Sequence, residues 1–110
     1  MALTNFIHPH GELKFAKITA ASSGANEVVA AVTGKRIRVV SYLLSAAGTV
    51  NAKWQSASTD LTGLHYMVAN NQVPVPFSPV GYFETASGEA LNLNLSGAIA
   101  VGGHVAYIEV

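Results

Sequence analysis

The chain has 110 residues, with six Lys or Arg and six Asp or Glu, so its formal net charge is zero. Neutrality argues against a binder of nucleic acid or another polyanion, which carries a basic excess, and the absence of cysteine excludes disulfides and thiolate metal sites. Charged residues make up 11% and hydrophobic residues 50%, against about 25% charged in ordinary soluble domains, so a lone protomer has few polar side chains with which to cover itself.

Two explanations fit that composition. The chain is an Ala-, Val- and Gly-rich β domain whose alanines inflate the apolar count, or part of its apolar surface is covered by other subunits; the second is the working expectation. The length is that of one domain. No stretch approaches the roughly 18 apolar residues of a membrane helix. MALTNFIHPHGELK lacks a basic region followed by an apolar one, so the expectation is a protein made in a cytoplasm and used without secretion.

Residues 1–13 read as an extended arm. Phe6 and Ile7 are apolar, and His8-Pro9-His10-Gly11 breaks any regular element. Such an arm is a docking segment or a frayed terminus. The remainder, 14–110, reads as one β domain. KFAKITA (14–20) is a short strand, ASSGA a turn, and NEVVAAV (26–32) the next strand, stopped by Thr33-Gly34.

KRIRVVSYLLSAA (35–47) is the longest strand candidate. Strict alternation places Ile37, Val39, Ser41 and Leu43 on one face and Arg36, Arg38, Val40, Tyr42 and Leu44 on the other. Both faces are apolar after Val39, which puts the strand in the middle of a sheet. Arg36 and Arg38 share a face and suit a solvated edge or an ion pair between subunits better than a phosphate site. TVNAKWQSA (49–57) alternates well and places Trp54 on the core face, where packing is expected rather than stacking on a sugar.

STDLTG (58–63) is a loop, LHYMVA (64–69) a short strand, and Asn70-Asn71 a turn. VPVPFSPV (73–80) holds three of the four prolines. Proline gives no N–H to a ladder, so this segment is an edge or an extended crossover. Three strands follow, over 82–86, 89–95 and 104–110. The middle one has the clearest pattern in the chain: Leu91, Leu93 and Leu95 alternate with Asn92 and Asn94. About eight short strands with turn signals between them predict an antiparallel sandwich or barrel. The final strand, held inside a sheet, suits a jelly roll.

No motif in the chain carries catalysis. His8 and His10 flank a proline and would need His65 or His104 as a third ligand for zinc, which the spacing does not predict. The six acids form no paired-carboxylate motif, and there is no GxSxG elbow or phosphate loop. No enzyme activity, cofactor or metal is expected.

From Lys35 onward the sequence resembles a family of small virion proteins of tailed bacteriophages. KRIRVVSYLLSAAGTVNAKWQSASTDLTG and VPVPFSPVGYFETASGEALNLNLSGAIAVGGHVAYIEV carry the resemblance. Their order is a basic-apolar strand, a Gln-Ser strand end, a TDLTG loop, a Pro-rich segment with P-x-G-Y-F, a GEALNLNLS strand and a final VGGHV strand. The resemblance implies an antiparallel jelly-roll β-sandwich of about eight strands with an extended N-terminal arm, trimeric in some members. It also implies a capsid decoration (cement) protein on the virion surface, with its own copies and the major capsid protein as partners, and no nucleic acid or membrane. Phe6, Ile7, Arg36, Arg38, Tyr82 and Phe83 are the expected contact residues. The alternatives are a tail or baseplate module, a carbohydrate-binding receptor-recognition module with Trp54, Tyr66 or Tyr82 in a groove, and an enzyme with converging histidines.

Overall fold

The computed structural model describes residues 7–8 and 11–110. Strands β1 (Ile7–His8) and β2 (Gly11–Glu12) form a small antiparallel ribbon. There follow β3 (Lys14–Ala20), β4 (Gly24–Val29), β5 (Ile37–Ala46), β6 (Val50–Ser56), β7 (Thr59–Asp60) and β8 (His65–Met67). Then come β9 (Gln72–Val75), β10 (Phe83–Glu84), β11 (Leu91–Leu95) and β12 (Val101–Glu109). No helix occurs among the described residues.

Two five-stranded antiparallel sheets face each other as a β-sandwich. In the first, β3 pairs with β12, β12 with β5, and the far side of β5 is shared by β9 and β10. In the second, β4 pairs with β11, β11 with β6, and the far side of β6 is shared by β7 and β8. One lateral edge of each sheet is therefore a lane made of two short strands. The chain crosses between sheets at nearly every step: β3 first, β4 second, β5 first, β6 to β8 second, β9 and β10 first, β11 second, β12 first. Among the described residues twelve strands stand against the expected eight or so, because the two-residue β1, β2 and β7 add to them and the Pro-rich segment supplies β9, while β10 is a short remnant of the strand expected over 82–86.

The inner faces meet over a core containing Ile18, Leu44, Trp54, Leu91, Leu93, Leu95 and Val105, all buried. Leucine alternation along β11 gives one wholly buried face and one partly exposed face, as the sequence predicts. Trp54 is fully buried and packs as a core residue, which excludes it from any sugar-stacking groove.

The strict alternation expected along β5 does not hold. Ile37 and Val39 point into the core, and so do Tyr42, Leu44 and Ala46. The phase changes at a β-bulge, because Ala106 opposes Ser41 while Tyr107 opposes Val39, leaving Val40 as the extra residue. Val40 turns outward into a second apolar cluster with Ala106 and Ile108, flanked by Leu13 and Val110. The bulge also divides the edge. Val40 O accepts the Ser78 N–H at 2.9 Å and Val39 O accepts the Tyr82 N–H at 2.9 Å. The chain thus leaves β5 after β9 and rejoins it at β10.

β12 begins at Val101, three residues before the expected start. At Gly103, φ is +143° and an added Cβ would collide with the carbonyl oxygen of Leu43. Only a residue without a side chain lets β12 lie this close to β5 there.

Candidate functional site

Arg36 and Arg38 lie at the start of the β5 lane, and their partner is within the chain. Glu84 on β10 sits directly across from Arg38. Its carboxylate takes Arg38 Nη2 at 2.8 Å and Arg36 Nη1 at 3.5 Å. Gly81, with φ of +83°, lets the Arg38 side chain lie over the loop, since a Cβ there would fall 2.7 Å from Arg38 Cγ. Arg38, Val80, Gly81, Tyr82, Phe83 and Glu84 line a shallow groove on this edge.

Tyr82 and Phe83, adjacent in sequence, serve opposite sides. Tyr82 is 45% exposed, and its hydroxyl donates to Pro76 O at 2.7 Å. Phe83 packs on the core, with its ring centroid 6.1 Å from Tyr42 and 6.1 Å from Trp54. Of the expected contact residues, Arg36, Arg38 and Tyr82 are together at the surface, whereas Phe83 is turned inward. Phe6 and the side chain of Ile7 lie outside the described residues, as do the His8 and His10 rings.

His65 is satisfied at both ring nitrogens. Nδ1 lies 2.9 Å from the Ala52 carbonyl oxygen, which can only accept, so Nδ1 carries the proton. Nε2 is then the acceptor, and the Tyr42 hydroxyl donates to it at 2.8 Å. Burial pushes the Tyr42 phenol above its ordinary pKa; the neighbouring Trp54 indole opposes that shift without making a hydrogen bond of good geometry. Ser56, also buried, accepts the Ala86 N–H and donates to Glu89, so its hydroxyl is held by structure on both sides.

The outer faces of the two sheets differ in chemistry. On the first sheet, Leu43, Pro74, Pro76 and His104 line an open, largely apolar groove with Val75 and the edge of Tyr42. Phe77 (54%) and Val80 (74%) stand exposed in the segment between β9 and β10, Val80 at the Arg38–Glu84 groove. The second sheet presents amides. Asn94 Nδ2 donates to Gln55 Oε1 at 3.2 Å, and Gln55 Nε2 donates to Asp60 Oδ1 at 2.8 Å. Lys53 Nζ closes the row on Asp60 Oδ2 at 3.1 Å. The Gln55 amide, and after it Lys53, hold the Asp60 carboxyl below its ordinary pKa.

Sequence reasoning found the polar side of β11 but not its partners on β6 and β7, which come from residues 32 to 41 positions earlier. Glu84 was missed for the same reason, since nothing local links it to Arg38. Among the described residues no group of three His, Asp or Glu side chains is placed to share a metal ion. Comparison with known proteins finds no matching family model, no matching curated protein and no matching solved structure.

Proposed function

We propose that the protein is a structural component of a tailed-phage virion: a capsid decoration protein that binds the outer shell as a homotrimer and stabilises it. Its fold is read as a jelly roll. Taking each divided edge as one lane, eight lanes are interleaved between the sheets, with only the step from β6 to the β7–β8 lane staying within one, and this interleaving supports that reading. The observation that carries the functional reading is the run from Phe77 to Tyr82. Three large apolar side chains, Phe77, Val80 and Tyr82, stand 54%, 74% and 45% exposed within six residues of one sheet edge. An apolar edge of this kind on a weakly charged domain suits burial against identical copies or a larger shell.

The mechanism is mechanical. Each trimer bridges several shell subunits, and the area buried at those contacts must be lost before the shell opens. The apolar groove on the outer face of the first sheet rests toward the shell, and the amide face of the second sheet points to solvent. Multi-angle light scattering of the purified protein tests the assembly: a trimer is expected, and Val80→Asp should convert it to a folded monomer. A parent protein that stays monomeric at high concentration overturns the trimer. A cryo-EM map of the particle without this chain on its shell overturns the decoration role.

A further inference from the structure

The amide face of the second sheet breaks a local rule of strand construction. Asparagine is depleted in strands, where β-branched residues pack better on a pleated surface. Yet β11 carries Asn92 and Asn94 in the middle of the sheet, and Asn51 on β6 bonds Ser96 just past the end of β11. All three lie on the face turned away from the core. A surface that met only water would be as well wetted and better formed with threonine. Residues that oppose local propensity mark candidate functional positions.

That face is also held still. The Asn94–Gln55–Asp60–Lys53 chain of hydrogen bonds fixes its side chains, and Asn92 is anchored by its Nδ2 on Ala57 O at 2.9 Å. Lys53 and Asp60 offset each other, and the exposed Glu27, directly across from Asn92 on β4, leaves the face with a net negative charge. What remains for a ligand is a set of amide oxygens in rows about 7 Å apart along the strands. Tyr66 on β8 sits directly across from Asn51 and is 77% exposed, so an aromatic ring stands on the same face, two strands from β11.

From this juxtaposition we infer that Asn92, Asn94 and Tyr66, with the buried Gln55 as a positioning residue, form a binding face for a neutral saccharide chain. Fixed amides exchange hydrogen bonds with sugar hydroxyls, and the tyrosine ring takes the apolar face of a pyranose. The net negative charge of the face selects against uronic or sulfated chains, which Glu27 would repel and which would meet no unpaired cation there. The inference does not rest on the trimer or on the shell, and a monomer would bind in the same way.

The test uses the full chain with dextran, a β-1,3-glucan and a galactomannan, and alginate as the anionic comparison. Affinity electrophoresis should show retardation by at least one neutral polymer, and amide-shift mapping should place the contact on residues 51–55, 66 and 92–94. In Asn94→Thr binding should fall about tenfold or more, the loss of one good contact, while amide shifts away from residues 53–55 and 92–96 stay as in the parent and show the sheet intact. Tyr66→Ala, at an exposed site, should keep the fold and lose binding likewise. No retardation by any neutral polymer, retardation by alginate alone, shifts confined to another face, or both variants binding like the parent would each overturn the inference.

Discussion

Tyr42 and His65 tie the two sheets together through a hydrogen bond of 2.8 Å inside the sandwich. Tyr42 comes from β5 in the first sheet and His65 from β8 in the second. The direction of the bond is set from a third point, because the Ala52 carbonyl fixes the imidazole tautomer. The tyrosine ring meets Trp54 edge-on at 5.4 Å. The bond therefore orients an aromatic group at the centre of the core as well as joining two layers.

Removing the hydroxyl should be costly without changing shape. Tyr42→Phe keeps the ring and its edge-on contact but leaves His65 Nε2 without its donor. A loss of about 1–3 kcal/mol is expected, the usual range for stranding a buried polar partner. Urea unfolding should show a lower midpoint with an unchanged slope. An unchanged midpoint would mean that water replaces the phenol at His65.

A stabilising change is expected in the hairpin between β6 and β7. Ser56 pairs with Thr59, so Ala57 and Ser58 form a two-residue turn, and Ala57 is held at φ of +51°. A left-handed conformation costs an L-residue with a Cβ about 1–2 kcal/mol, and glycine avoids that cost. The added freedom of glycine in the unfolded chain offsets about half of it. Ala57→Gly should therefore raise stability by about 0.5–1 kcal/mol, read as a higher melting temperature by calorimetry.

The acid limb of the stability curve should carry the signature of Asp60. Its folded carboxyl titrates below the ordinary 3.8, through the Gln55 amide and Lys53. The unfolded chain then binds the proton first as pH falls. The contribution of Asp60 is thus complete above its unfolded value and disappears as pH drops through the folded one. Melting temperatures followed from about pH 5 to about pH 2 should fall less steeply in Asp60→Asn than in the parent. Parallel curves would remove Asp60 from the acid response.

Much of the architecture could be read from local pattern. The expected strand over 14–20 coincides with β3, and the Leu–Asn alternation placed β11 correctly, because a half-buried strand imprints period two on its own residues. Trp54 followed by the same logic. The faces of β5 could not be read past Val39, since a one-residue bulge at Val40 inverts every later side chain and leaves no compositional mark. Arg36 and Arg38 were visible as a pair, but Glu84 is a long-range partner that only strand pairing supplies. The amide row was half visible: Asn92 and Asn94 stood out, whereas Gln55 and Asp60 join them only when β6 comes alongside β11 and turns back into β7.

The divided edge beside β5 has a further consequence. An exposed strand normally offers a continuous line of N–H and C=O groups on which another molecule can lengthen the sheet. Along β9 that line contains Pro74, which has no N–H, and Pro76 follows directly after the strand. It is then interrupted by the departure at Val40 before β10 resumes for two residues. A stray strand therefore finds no run there long enough to zip onto, and on that flank a chain with so few charges is guarded against fibre growth by backbone geometry instead of by repulsion.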